Sequence, residues 1–173
     1  MHKKSYVTVT DLFCGAGGSS QGAIDAGAEI AMAVNHWRLA VETHASNFPD
    51  TDHDCADISH SDPRRYPSTD ILIASPECTS HSLAKGKRRK NQAQLGLFEK
   101  SQPDPSEERS RATMWDIPRF AEHHDYAAIV VENVVEATKW VGWRGWSQAM
   151  ADLGYERRVL SHNSMHHQVP QSR

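Results

Sequence analysis

The sequence predicts a doubly wound α/β domain built on a mostly parallel sheet, and three observations carry that expectation. Short apolar runs alternate with helical stretches, a glycine-dense turn joins the first run to the first helix, and acidic or reactive residues follow the runs directly. Alternating β and α elements imply parallel strands covered on both faces, and such strands read as unbroken apolar bursts. At 173 residues the chain fits one domain with its own core.

The elements follow in order. Ser5 to Leu12 is β-rich, and Asp11-Leu12-Phe13-Cys14-Gly15-Ala16-Gly17-Gly18 is the glycine turn. Ser19 to Ala26 suits the first turns of a helix with a serine cap. Glu29 to Val34 is the second apolar run, and Arg38 to Asn47 is a helical stretch that Phe48-Pro49 ends. A third extended run precedes Asp57, and Ile71 to Ala74 is a fully apolar strand. Ala127 to Val131 has the same buried pattern. Trp146, Met150 and Leu153 stand at helical spacing within Trp143 to Leu153, and Gly154 follows them. Tyr155 to Leu160 resumes extended character. Between these elements, from about 79 to 111, the pattern dissolves into Lys/Arg, then Gln/Asn, then Pro and Ser, which reads as one long loop.

Composition excludes several classes. No apolar run approaches the roughly 20 residues of a membrane span, and the start lacks the apolar stretch of a secretory signal, so a cytoplasmic protein without a membrane partner is expected. A net charge of -3 argues against coating nucleic acid by bulk charge, although Lys85 to Lys90 is a local basic run. That run is either a solvated loop or a set of phosphate contacts. Cys14, Cys55 and Cys78 are odd in number and widely spaced, which argues against a disulfide framework. No metal is expected: His81 with Cys78, and His53 with Cys55, each lack a complete ligand set. The adjacent pairs His123-His124 and His166-His167 diverge on a regular element and suit surface or packing roles.

The residues after the runs carry the chemistry. Glycines let the backbone approach a ligand closely, and open amides at a helix start favour an anionic group. Asn35-His36-Trp37 ends the second run, where doubly wound folds place ribose contacts, though a turn with a packed Trp has the same signature. Asp57 is a turn cap or an acceptor for a base amino group. Ser75-Pro76-Glu77-Cys78 follows the apolar run at 71–74, and Glu132-Asn133-Val134 follows that at 127–131. A thiol nucleophile and a carboxyl acid would thus share the ligand-binding edge of the sheet.

In this order the segments resemble the C5-cytosine DNA methyltransferase family. Residues 11–18 look like its first S-adenosylmethionine motif, Asn35-His36-Trp37 its second, Asp57-Ile58 its third and Cys78 its nucleophile motif. Glu132-Asn133-Val134 looks like its Glu-Asn-Val motif, and Val169 to Arg173 the start of its Gln-x-Arg-x-Arg motif. The resemblance implies a Rossmann-like methyltransferase core with S-adenosylmethionine as cofactor. By it, Phe13 packs on the adenine, Gly15, Gly17 and Gly18 hold the methionine portion, Trp37 stacks on the base, and Asp57 with Ile58 receives its amino group. His36 meets the ribose, and Pro76 lies in the cofactor wall. Cys78 attacks C6 of an extruded cytosine, Glu132 supplies a proton, and Arg173 counts among the catalytic residues. Ser82, Lys87, Arg88 and Arg89 in the loop contact double-stranded DNA, which helps draw the base from its stack.

The chain departs from the family pattern at identifiable places. Glu77 stands where proline usually precedes the nucleophile, and a neighbouring carboxylate raises a thiol's pKa. Thr79 and His81 replace Gln and Phe, and His36 stands where a ribose-binding glutamate is typical. The target-recognition domain and final motifs would lie beyond Arg173, which implies a fragment or half of a split enzyme completed by a second chain. Methylation of RNA, or cofactor binding without catalysis, are the alternative expectations.

Overall fold

A computed structural model describes residues 6–77 and 105–167, with side chains for 6–77 and 113–166. Five strands form one sheet: β1 (Thr8–Leu12), β2 (Glu29–Asn35), β3 (Asp52–Cys55), β4 (Ile71–Ala74) and β5 (Ala128–Val131). Their order is β3-β2-β1-β4-β5, and every neighbouring pair is parallel. The helices are α1 (Gly18–Asp25), α2 (Arg38–Asn47), α3 (Pro105–His124) and α4 (Trp143–Asp152). Parallel neighbours need crossovers, and right-handed crossovers place helices on opposite faces when the chain reverses its direction of growth. Here the reversal falls between β3 and β4, so the β1–β4 border is the switch point.

The two faces of β1 have different company. Val9 packs with Ile30 and Ile73, against Ala23 of α1. Leu12 joins Val34, Leu72 and Ala74 with Met114, Ile117 and Phe120 of α3 and Trp146 and Met150 of α4. Side chains alternate along a strand, so neighbouring residues of β1 serve different layers. Among the described residues no helix is long and apolar enough to cross a membrane.

Three sequence expectations are corrected. The sequence pattern predicts a long loop as far as 111 and no helix before Tyr126, but the backbone is helical from Pro105. Met114, Ile117, Phe120 and Ala121 do form a buried face, yet Pro118 inside the helix and a charged start interrupt the pattern that would reveal it. The expected serine cap on α1 is absent: Gly17 is the N-cap, in the left-handed region, and no side chain caps the helix. Tyr155 to Leu160 pairs with no strand among the described residues. Val159 and Leu160 are exposed, and without apolar cover a strand there would gain only backbone hydrogen bonds.

Pro118 has a compensating partner. Proline lacks the N–H that would bond the carbonyl four residues back, that of Met114. The indole N–H of Trp146 donates to the Met114 carbonyl at 2.8 Å, so α4 fills the gap that the proline leaves in α3. Trp146→Phe orphans that buried carbonyl and should lower the unfolding free energy by about 1–3 kcal/mol in urea titrations. Adding Pro118→Ala to that variant restores an internal donor and should recover part of the loss.

Candidate active site at the carboxyl edge of the sheet

The register places the strand ends in one row. Leu12 pairs with Val34 on one side and Ala74 on the other, Val34 pairs with Asp54, and Ala74 pairs with Val131. The residues that leave these strands therefore line one edge in the order Asp57, His36 and Trp37, the glycine turn, Pro76 and Glu77, and Glu132.

The turn is tight and open. Phe13 has φ 63 and Gly15 φ 55, so two left-handed residues flank Cys14 and reverse the chain above β1. Left-handed backbone at a non-glycine residue costs energy and clusters at functional sites. Gly17 has φ 102, a conformation that strains any other residue, and a Cβ there would press on the Phe48 ring at the end of α2. Above Gly15 and Gly18 a Cβ would meet nothing within 4 Å, which leaves space over the backbone. The uncapped amides of α1 face this space with no side chain of their own to satisfy them. Trp37, 59% exposed, presents an unburied ring beside it, and its amide donates to Asn35 Oδ1 at 2.9 Å. An open cradle, unsatisfied amides and an exposed aromatic fit a nucleoside cofactor with an anionic tail.

Burial, with Asp11 nearby, pushes the Cys14 thiol up to about 12, which disfavours its thiolate. Asp57 performs the capping role, since its Oδ1 accepts from the Ser59 amide and its Oδ2 lies 3.0 Å from His60 Nδ1. Ile58 behind it is buried. This turn is fastened from α3, because Arg119 donates to the carbonyls of Ile58 and Ser61 and to Asp116, and Ser59 Oγ donates to Asp116 at 2.6 Å. Nothing in the sequence points to Arg119 or Asp116, which lie 57 to 61 residues from the carbonyls and hydroxyl they hold.

On the other half of the edge, Asn133 Nδ2 donates to the Pro76 carbonyl at 3.2 Å, and the Glu132 amide donates to the Ala74 carbonyl at 3.0 Å. The end of β4 and the end of β5 are thereby bound together, and Glu132 emerges exposed beside them. Asn133 lies within the Glu-Asn-Val segment, where the sequence alone assigns it no partner. Glu77 approaches His36, with Oε1 3.9 Å from Nε2. Of the sequence-predicted site residues, Cys78, Ser82, Lys87, Arg88, Arg89 and Arg173 lie outside the described residues. Among the described residues no group of three His, Cys, Asp or Glu side chains could hold a metal ion.

Beneath the turn runs a buried polar chain that the sequence reading also missed. Ser20 Oγ donates to Asp11 Oδ2 at 2.7 Å and lies 2.9 Å from His44 Nε2, and His44 Nδ1 lies 2.8 Å from His53 Nε2. Burial lowers His44 to about 4, so its ring is neutral at pH 7. Burial raises Asp11 to about 6 against the pull of Ser20, and its other oxygen, Oδ1, has no protein partner among the described residues.

A parallel five-stranded sheet with a glycine turn at its switch point has the Rossmann-like fold of S-adenosylmethionine-dependent methyltransferases. The chain matches the C-5 cytosine-specific DNA methylase family over residues 7–173, and it belongs to that family. It is similar to the type II methyltransferase M.HgiGI of Herpetosiphon aurantiacus, 40% identical over 82 residues that cover 45% of this chain and 64% of that protein. It is also similar to M.AgeI of Thalassovita gelatinovora, 27% identical over 176 residues, covering 94% of this chain and 37% of that protein. A solved structure of a DNA modification methyltransferase from an E. coli prophage superposes with a TM-score of 0.60 at 26% identity, covering 85% of this chain and 37% of that one. The chain spans 26% to 64% of the length of the curated relatives it matches.

The Asp11 carboxyl sits at about 6 in the fold against an ordinary 3.8, so the folded chain keeps a proton that the unfolded chain has released between those values. Ionisation above about pH 6 therefore works against folding, and the cost disappears as pH falls below the unfolded value. Asp11→Asn keeps an acceptor for Ser20 without the charge. Its stability relative to the native chain should increase by about 2 kcal/mol between pH 4 and pH 8, read from urea titrations at each pH.

Proposed function

We propose that this chain is the catalytic core of a cytoplasmic DNA cytosine C5-methyltransferase that takes its methyl group from S-adenosylmethionine. The observation that carries the reading is the Asn133–Pro76 hydrogen bond, which ties the β4 segment leading to Cys78 onto the β5 segment that carries Glu132. Family membership and the open cradle above Gly15 and Gly18 support it. Residues 1–173 act as one catalytic domain, with the segment from about 79 to the start of α3 as the active-site loop.

Within this reading the edge divides its work. Phe13, the 15–18 turn, His36, Trp37, Asp57, Ile58 and Pro76 hold the cofactor, which supplies an electrophilic methyl on its sulfonium. On the other half, C5 of cytosine is electron-poor until a nucleophile adds at C6 and the ring nitrogen gains a proton. The Cys78 thiolate forms the bond to C6, and Glu132 delivers a proton to N3, so the electron pair reaches C5 and attacks the methyl. Loss of the C5 proton to water then breaks the C6–S bond and returns the thiolate, while the N3 proton goes back to the Glu132 carboxylate, leaving neutral 5-methylcytosine. The base must first leave its stack at a cost of a few kcal/mol. Ser82, Lys87, Arg88 and Arg89 offset this by holding phosphates, and Arg173 completes the catalytic set.

Incubation with S-adenosylmethionine and a duplex containing 5-fluorocytosine should trap a covalent adduct that survives denaturing electrophoresis, because fluorine at C5 blocks the elimination. Cys78→Ala should abolish the adduct and methyl transfer while binding S-adenosylhomocysteine with native affinity. Transfer by that variant would overturn the reading. Glu132→Gln cannot deliver the proton, and its single-turnover transfer rate should fall roughly 10²-fold or more.

A further inference from the structure

We propose that His53 and His44 are positioning residues that act through Ser20 to keep the Asp11 carboxyl ionised beneath the glycine turn, where its charge gives the cradle a preference for a cationic cofactor over the uncharged product; this rests on the S-adenosylmethionine reading above. Asp11 lies on the α1 face of β1, the face it shares with Val9, just ahead of the turn. From it a single file of hydrogen bonds runs outward, 2.7 Å to Ser20 Oγ, 2.9 Å on to His44 Nε2, and 2.8 Å from His44 Nδ1 to His53 Nε2. Asp11, Ser20 and His44 are buried, whereas His53 is half-buried on the edge strand β3. The file therefore joins the core beneath the turn to the rim of the sheet.

Counting hydrogens gives the file two polarities. A hydroxyl has one hydrogen to donate, and a neutral imidazole has one N–H and one bare nitrogen. When Asp11 is ionised, Ser20 donates to it, His44 Nε2 donates to Ser20, and the bare His44 Nδ1 must receive a hydrogen from His53 Nε2. When Asp11 carries a proton on Oδ2, every bond reverses, and His53 Nε2 must be bare. A proton on Oδ1 instead would be a buried donor with no partner among the described residues. Once His53 takes up a proton its Nε2 keeps a hydrogen, which fixes the first polarity, so Asp11 and His53 cannot both be protonated while the file is intact. His44 suits the middle place because burial lowers it to about 4 and holds it neutral. Burial alone would favour a protonated Asp11, which it raises to about 6, and Ser20 opposes that rise. The other groups near the file leave this count unchanged. The Cys14 thiol, beside Asp11, is held protonated, the Phe48 ring that packs 4.7 Å from His44 is uncharged, and Asp52 and Asp54 flank His53 along a strand whose alternation turns them to the opposite face. Asp54 accepts from the Tyr66 hydroxyl there, with Arg65 3.7 Å away. Methyl transfer converts a sulfonium into an uncharged thioether, so cofactor and product differ by one positive charge. An ionised carboxyl beneath the cradle favours the cation and disfavours retention of the product.

The test is an NMR titration between about pH 4 and about pH 8 that follows the Asp11 carboxyl carbon and the ring nitrogens of His44 and His53. In the native chain at the alkaline end, His44 should carry its hydrogen on Nε2. In His53→Ala and in Ser20→Ala the midpoint of the Asp11 carboxyl should move upward by roughly one pH unit, since each loses a group that favours the ionised form. Calorimetry with S-adenosylmethionine and S-adenosylhomocysteine then reads the consequence. At about pH 7.5 the native chain should prefer the sulfonium ligand by a factor roughly 3-fold or more larger than Asp11→Asn does. At about pH 6.5 the preference of His53→Ala should fall toward that of Asp11→Asn. A hydrogen on His44 Nδ1 at the alkaline end overturns the proposal, whether or not the variants fold. So does an unmoved Asp11 midpoint in His53→Ala, or an equal preference in the native chain and Asp11→Asn, and each of these leaves the cofactor reading standing. A native chain that binds neither ligand overturns the reading and the proposal together.

Discussion

β1 is hydrogen-bonded to β2 on one flank and β4 on the other, and the carboxyl edge depends on that double pairing. With both neighbours parallel and in register, three chain segments leave the sheet at the same height. The reversal of strand order between β3 and β4 then prevents any helix from covering the border of β1 and β4. The glycine turn occupies that uncovered place. Its conformation is over-determined: Phe13, Gly15 and Gly17 sit in the left-handed region, Gly17 lies against the Phe48 ring, and the Cys14 amide is bonded to Val34.

Rigidity around this turn comes from polar groups buried in pairs and chains. Asp11, Ser20, His44 and His53 link β1, α1, α2 and β3 beneath the cradle. Arg119 and Asp116 fasten the Asp57 turn to α3 on the opposite face. Apart from Asp11 Oδ1, these arrangements pair groups that would be costly if left bare in the core. Trp146 does the same for the carbonyl that Pro118 orphans. In each case an irregularity on one element is offset by a side chain from another, so the layers hold one another in register.

The edge divides into two halves with different chemistry. One, from Asp57 to the glycine turn, is an open and partly aromatic surface suited to a nucleoside. The other, from Pro76 to Glu132, brings two strand ends together through Asn133. Glu77 and His36 span the boundary between them. Glu77, which follows Pro76 on one half, therefore approaches His36 on the other, so the two halves meet at the end of β4.

The sequence by itself determined the alternation of strands and helices, the parallel sheet and the row of residues at its carboxyl edge. Those signals are local: apolar bursts at Ile71–Ala74 and Ala127–Val131, glycines at 15, 17 and 18, and reactive residues directly after the bursts. Periodicity hid α3, because Pro118 and a charged start break its pattern while Trp146, distant in the chain, makes the proline tolerable. Composition also suggested a serine cap on α1, but Ser20 is drawn inward by Asp11 and His44 and the helix is left open at its start. Only the tertiary structure decided that Asn133 holds Pro76, that Arg119 holds the Asp57 turn, and that Glu77 lies against His36. Partners separated by 41 to 61 positions leave no periodic trace in a single chain, since their meeting is fixed by strand order and crossover hand rather than by neighbouring residues.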